Sequence, residues 1–305
     1  MSLRAAIDVG TNSVRLLVAG SDGDLDRSLT ITRLGEGVDA RRTLQPEPMR
    51  RTIEAIARYA DRARQLGVPE GRVRACATSA VRDAANRDEF LAAVRDAAGI
   101  PLECISGDEE AALSFAGAAG SFDPAAPKMV IDIGGGSTEF VAGDDRVRAA
   151  ISTDVGSVRL TERHITADPP PAEGRVAVRA DADEAVVDAL RAVEPALRAM
   201  GGEPVLIGVA GTITTIAAIA LGLPGYDRDA IHRHVLSRET VAEIRARLAG
   251  MTSDQRRTLP AMPRGREDVI VAGAIVLEAA MDGFGFGSVI VSETDILDGI
   301  AASIS

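Results

Sequence analysis

Asp132-Ile133-Gly134-Gly135-Gly136-Ser137-Thr138-Glu139 sets two carboxylates around three consecutive glycines and two hydroxyls. Consecutive glycines open backbone torsions closed to other residues and bring N–H groups against an anion with no Cβ between them. A turn that only reverses the chain needs one or two. Apolar residues on both sides make the stretch a hairpin, with Asp132 ending one strand and Glu139 on the return strand. Mg²⁺ favours one or two carboxylates together with phosphate oxygens and water. The expected chemistry is phosphate binding by Gly134, Gly135, Gly136 and Ser137, with Mg²⁺ near Asp132 and Glu139. A plain hairpin is the competing reading.

Asp8-Val9-Gly10-Thr11-Asn12-Ser13 is an equivalent turn near the N-terminus. Alone it has an ordinary turn composition. As a counterpart of the first it becomes an opposing phosphate loop, in which Thr11, Asn12 and Ser13 supply hydroxyls, an amide and backbone N–H groups, and Asp8 joins the metal candidates. Gly208-Val209-Ala210-Gly211-Thr212 follows a strand and opens a helix. Unsatisfied amides and the helix dipole favour an anion there, which makes Gly211 and Thr212 phosphate candidates. The other reading of that glycine is close strand–helix packing. Glu109 is the fourth residue of a capping box begun by Ser106, so its expected task is to fold back on the N-cap amide. Glu110 is not needed there. It is either a general base for water facing a phosphate cradle or a solvated first-turn glutamate stabilised by the helix dipole.

The elements that hold these turns repeat. Ile7-Asp8-Val9-Gly10 is followed by Thr11-Asn12-Ser13, an apolar strand over 14–18 and Ala19-Gly20-Ser21-Asp22. Ile131-Asp132-Ile133-Gly134 is followed by Gly135-Gly136-Ser137, a strand over 138–141 and Ala142-Gly143-Asp144-Asp145. Both copies continue into a third strand that reaches a glycine, over 29–35 and 149–156. Matching downstream order reads as a duplication of strand, turn, strand, turn, strand.

Helix and strand alternate after each copy. Helical periodicity runs over 46–66 and stops at Gly67, and 72–78 reads as a strand. Asn86-Arg87-Asp88-Glu89 reads as a capping box whose helix Gly99 and Pro101 close. A strand over 102–105 precedes the Ser106 box and its helix to about Gly120. The stretch 120–128, with Pro124 and Pro127, reads as the linker between a domain over 1–124 and a domain over 125–305. In the second half 182–200, 213–221, 237–249, 269–281 and 295–304 read as helices, with Ser237 an N-cap. There 204–209 and 289–291 read as strands and 168–173 as a proline-rich loop. The fold expected is α/β of the actin-like, ribonuclease H-like (ASKHA) class, a duplicated βββαβα with two lobes flanking a cleft.

Composition removes several chemistries. A net charge of −11 argues against broad nucleic-acid binding, so a polyanion must be met by local arginines, oriented amides and metal ions. Lys128 is the only lysine, which excludes a Walker-type phosphate loop and leaves Schiff-base chemistry one ill-placed candidate. His232 and His234 lack a third ligand nearby, and Cys76 and Cys104 sit inside expected strands as small hydrophobes. No apolar run has the length of a membrane span, and Asp8 and Arg15 interrupt what would be a signal-peptide core, so no membrane association and a cytoplasmic location are expected.

The strings IDVGTNSVRLLV, ATSAVRDA, ISGDEEA, VIDIGGGSTEFV, DVGSVRLTER, GVAGTITTIAAIALGL and GREDVIVAGAIVL run in order from Ala5 to about Gly299. Together they resemble the Ppx/GppA exopolyphosphatase and pppGpp phosphohydrolase family. The resemblance implies an actin-like fold, Mg²⁺ dependence and a homodimer. It also implies that the glutamate before the alanine of SGDEEA, Glu110, is catalytic, that Asp132 and Glu139 serve metal and water, and that Arg82 contacts phosphate. Leu297-Asp298-Gly299 departs from the Arg-Glu-Gly common in the family's last helix, and the chain stops where long members continue into an HD-like helical domain, as a short form would. The reading is an exopolyphosphatase acting on short polyphosphate, with pppGpp or other guanosine phosphates as the alternative substrate. An ATP-dependent small-molecule kinase and a non-catalytic polyphosphate or nucleotide sensor are rivals from other classes.

Overall fold

The computed structural model describes residues 3–21 and 23–304. Asp22, at the end of the first repeat's turn, lies outside them. Internal contacts divide the chain into two units: residues up to Gly117 together with those from Asp295 onward, and Ala118–Thr294.

The first unit contains β1 (Arg4–Val9), β2 (Ser13–Gly20), β3 (Gly23–Ile31), α1 (Val38–Arg41), α2 (Pro46–Gln65), β4 (Val73–Ala77), α3 (Ser79–Arg82), α4 (Arg87–Ala98) and β5 (Leu102–Cys104). Its sheet has the order β3-β2-β1-β4-β5. The β1–β2 and β2–β3 pairs are antiparallel, whereas β1–β4 and β4–β5 are parallel. Side chains alternate between the faces of a strand. Ala5, Ile7 and Val9 join Ile56, Ala60 and Phe90 in a core under α2 and α4. Ala6, Leu17 and Cys76 face the other way, and Asp8 and Arg15 share that side by the same alternation.

α5 (Gly107–Ala119) follows. The second unit then contains β6 (Lys128–Ile133), β7 (Thr138–Gly143), β8 (Val147–Thr153), α6 (Ser157–His164), α7 (Ala172–Met200), β9 (Val205–Val209) and α8 (Ala210–Ala220). It continues through α9 (Arg228–Ile231), β10 (Val235–Ser237), α10 (Arg238–Ala249), α11 (Ser253–Arg257), α12 (Ile270–Phe284) and β11 (Ser288–Val291). Its sheet order is β10-β11-β9-β6-β7-β8. Without the edge strand β10, this is the first unit's order again, so the repeat seen in the sequence is a repeat of topology. The fold is actin-like. Met129, Ile131, Ile133 and Phe140 point into the core built with α7 and α12, which leaves Asp132 and Glu139 on the opposite face.

The final helix α13 (Ile296–Ala302) corrects the expected boundary. It belongs to the first unit, so the second domain expected over 125–305 ends before it. Ile296, Leu297 and Ile300 cover Ala6, Leu17 and Cys76, the sheet face that α2 and α4 leave bare. The approach is backbone to backbone. A Cβ on Gly117 would lie 1.8 Å from the Asp295 carbonyl oxygen, and one on Gly299 2.0 Å from that of Leu113.

Other differences are local. The third strand of the first repeat is β3, earlier than 29–35, and α6 occupies a stretch where the sequence shows no helical signal. α7 starts at Ala172 with Pro171 at its N-cap, ten residues before the expected start. Asn86 makes no side-chain cap; its amide binds the Leu44 backbone on both sides instead. Ser237 caps its helix as the pattern requires, and Asp295 is the N-cap of α13 rather than its first residue. Among the described residues no helix is long and apolar enough to cross a membrane.

Candidate active site

In the second unit, Asp132 and Glu139 are register partners across the β6–β7 ladder. Both are nearly buried, at 7% and 1% exposure. Ser152 stands opposite Glu139 on β8 and donates to its Oε1 at 2.7 Å. Two carboxylates facing each other at low exposure repel unless a cation or a proton joins them. An all-oxygen set of two carboxylates and a hydroxyl fits a hard cation that keeps water and takes phosphate oxygens, as Mg²⁺ does. Among the described residues no three His, Cys, Asp or Glu side chains gather into a full protein cage.

The turn beside this pair is held from behind. Gly134 N donates to Ser137 O at 3.0 Å and closes it. The Gly134 carbonyl accepts from Ser157 N at 2.9 Å, and the Gly135 carbonyl accepts from Val158 N at 2.8 Å and Arg159 N at 3.0 Å. Arg159 Nε donates to the Gly136 carbonyl at 2.6 Å. The start of α6 therefore engages the turn's carbonyls. Among the described residues nothing accepts from the N–H groups of Gly135, Gly136 and Ser137. Such a row of unpaired amides is a nest for an anion. Gly156 permits the approach, since a Cβ there would lie 2.5 Å from the carbonyl carbon of Gly135.

The first unit's turn has the same frame and different charges. Asp8 stands where Asp132 stands, but its register partner is Arg15. Arg15 Nε and Nη2 both donate to Asp8 Oδ2, at 2.9 and 2.7 Å. Burial pushes the Asp8 carboxyl up from its ordinary range, against the pull of Arg15. Among the described residues nothing donates to Oδ1, so Asp8 keeps one open oxygen. Chain segment 32–35 wraps the loop. Thr32 N and Arg33 N donate to Asn12 O at 3.0 and 2.9 Å, and Gly35 N to Thr11 O at 2.8 Å. Thr11 shares a hydroxyl bond of 2.9 Å with Ser79. Asn12 and Ser13 are half-buried.

The two glutamates of the α5 first turn separate clearly. Ser106 Oγ accepts from Glu109 N at 3.2 Å, but the Glu109 carboxylate pairs with Arg74 at 2.6 Å on the exposed side. Glu110 is 7% exposed, so it is no solvated helix-end glutamate. Its Oε2 accepts from Arg82 Nη1 at 2.9 Å, and the same nitrogen donates to the Ile105 carbonyl at 3.2 Å. Two residues that stand out in the sequence for different reasons thus form one partly buried ion pair.

Gly211 and Thr212 lie inside the first turn of α8, which starts at Ala210, three residues before the helix expected over 213–221. Ala210 opens that helix at φ 68°, a left-handed conformation unusual for a residue with a Cβ. Arg266 Nη1 donates to Gly211 O at 2.8 Å and to Thr215 Oγ1 at 2.9 Å. A Cβ on Gly211 would lie 2.1 Å from Arg266 Nη2, so close packing accounts for this glycine. Thr212 is packed against Gly273 of α12, where a Cβ would come within 2.5 Å of its Oγ1. Arg266 and Arg159, both nearly buried, were not singled out from the sequence. Each lies within a family-like string, GREDV and DVGSVRLTER, but in a chain whose cations are almost all arginine the type alone carries no signal.

A family model described as the Ppx/GppA phosphatase family matches residues 17–304. Exopolyphosphatase 2 of Mycobacterium tuberculosis (strain CDC 1551 / Oshkosh) is 43% identical over 319 aligned residues, covering 99% of this chain and 98% of that protein. The crystal structure of an exopolyphosphatase-like protein aligns with a TM-score of 0.90 at 37% identity, over 99% of this chain and 98% of that one. The Aquifex aeolicus member of the Ppx/GppA family aligns with a TM-score of 0.80 at 29% identity, over 99% and 97% of the two chains.

Proposed function

Because the chain belongs to the Ppx/GppA phosphatase family, we propose that it is an exopolyphosphatase that hydrolyses the terminal phosphate of inorganic polyphosphate. The observation that carries this reading is the in-register, nearly buried pair Asp132 and Glu139 beside a turn with three unpaired amides. In the second unit the terminal phosphate is assigned to the N–H groups of Gly135, Gly136 and Ser137, with Gly211 and Thr212 as contacts along the chain; in the first unit Thr11, Asn12 and Ser13 are assigned as phosphate contacts. In the second unit Asp132 and Glu139 would hold Mg²⁺, which supplies positive charge to the oxygens of the transferring phosphoryl group; in the first unit the open oxygen of Asp8 is a further metal candidate.

Glu110 takes the proton of the attacking water as its oxygen bonds to phosphorus and the bridging P–O bond breaks. The shortened polyphosphate leaves as the anion, and orthophosphate is the second product. Arg82 holds the Glu110 carboxylate in one orientation and lends its charge to the phosphate. For such a loose transition state, positioning and electrostatics account for most of the rate. A cytoplasmic homodimer belongs to the same reading, and sedimentation of the purified protein checks the dimer.

The decisive experiment incubates the purified chain and Mg²⁺ with short polyphosphate, long polyphosphate, pppGpp and ATP, and follows orthophosphate. Release should be fastest from short polyphosphate and should stop with EDTA. Faster release from pppGpp would make the guanosine phosphate the substrate. Binding of polyphosphate without release would make the chain a sensor, and transfer from ATP to an added acceptor would make it a kinase.

A further inference from the structure

The cap of the chain's last helix has a partner on the strand that follows the first phosphate loop. Arg15 reaches past Asp8 and donates through Nη1 to Asp295 Oδ2. Asp295 is 6% exposed and caps α13, its Oδ1 accepting from Leu297 N at 3.0 Å. A second rung lies beside it. Arg27 on β3 pairs with Asp298, whose Oδ2 also accepts from Asp295 N at 3.0 Å. One guanidinium thus serves two nearly buried carboxylates, with its Nε and Nη2 edge on a single oxygen of Asp8 and its Nη1 on Asp295.

An arginine opposite a lone carboxylate prefers the two-toothed fork, one N–H to each oxygen. Arg15 has a fork edge, Nε with Nη2, facing Asp8, yet with Nη1 anchored on Asp295 both N–H groups of that edge fall on Oδ2. We propose that Asp295 is a positioning residue for the first phosphate loop, holding Arg15 to one oxygen of Asp8 so that Oδ1 stays open to a divalent cation or its bound water. The charge count supports this arrangement. Two carboxylates share one guanidinium, which leaves a negative excess beside Oδ1 that a cation relieves. The inference rests on the hydrolase reading only through the metal, and its test is read on the metal.

The test titrates Mn²⁺ into the full chain and counts free Mn²⁺ by electron paramagnetic resonance. Asn caps a helix as well as Asp does, so Asp295→Asn removes the charge and keeps the cap. Mn²⁺ affinity should fall about tenfold, the difference that 1.4 kcal/mol makes, with a parallel rise in the Mg²⁺ needed for half-maximal phosphate release. Asp298→Asn breaks the neighbouring rung and loosens the same helix, and should leave Mn²⁺ affinity within about twofold. Native Mn²⁺ binding by Asp295→Asn, or an equal loss in Asp298→Asn, overturns the proposal and makes Asp295 a strut. Should Asp295→Asn not fold, Asp295→Ser, which also caps, carries the same readout, and failure of both to fold likewise overturns it. A native chain that binds Mn²⁺ with the expected response to Asp295→Asn yet hydrolyses nothing would defeat the proposed activity and leave this inference standing.

Discussion

Asp8 and Asp132 occupy one position in two copies of a hairpin, and the residue across the ladder decides what each can do. Opposite Asp132 stands Glu139, and two facing carboxylates attract a cation. Opposite Asp8 stands Arg15, which already brings positive charge. Glu139→Gln should therefore raise the Mg²⁺ requirement for phosphate release by about tenfold or more, about the 1.4 kcal/mol of one lost charged contact, and an Mg²⁺ titration of the initial rate checks it. Glu110→Gln keeps the size and the contact with Arg82 but cannot take a proton. Turnover should fall about 10²–10⁴-fold, the usual share of a general base, while polyphosphate binding measured by equilibrium dialysis stays near native. Undiminished turnover would remove Glu110 from the role. Glu110 was visible in the sequence, whereas its pairing with Arg82 was not, because the two residues are 28 positions apart and only the approach of α3 to α5 joins them.

The element that most shapes the site is α6, which no sequence signal announced. Its N-cap is Gly156 and its first residue Ser157, and the side chain makes no cap bond. The helix start is satisfied by the carbonyls of a turn some twenty residues earlier, a long-range substitute for a local cap. Gly156→Ala should drive the new Cβ into Gly135 and cost about 1–3 kcal/mol, as overpacking does. It should also weaken phosphate binding, and urea unfolding beside a phosphate titration reads both. Gly211→Ala differs in kind. Its Cβ meets the end of a flexible arginine rather than backbone, so Arg266 can swing away. Stability should change by less than about 1 kcal/mol while the KM for polyphosphate rises, because Arg266 leaves the first turn of α8. Strands at the centre of each sheet were legible because both faces are buried and their composition is apolar throughout. The edge strand β3 was misplaced because Leu25 and Leu29 stay exposed among charged neighbours, so its pattern shows no buried side.

At the scale of the whole molecule, the first unit is closed by the last helix of the chain. Burial pushes the Cys76 thiol up to about 12, and the side chain is fully covered on the α13 side of the sheet. In the native protein at pH 8, Cys76 should resist a thiol-specific disulfide reagent while the half-buried Cys104 reacts. Gly299→Ala places a Cβ against the Leu113 backbone, where no side chain can yield, and should cost about 3 kcal/mol or more. Cys76 should then become labelled under native conditions, and continued protection would show that α13 does not guard that face. The amino-acid order by itself determined the duplicated hairpins, the glycine turns with their carboxylates and most of the alternation of helix and strand. These depend on composition and period within a few residues, where local sterics and burial act. Only the tertiary structure decided that Arg15 faces Asp8 and Asp295, that α6 seats the glycine turn, and that α13 belongs with the first sheet. Those facts depend on register and on backbones meeting across long stretches of chain, and no local pattern encodes which distant segment will arrive.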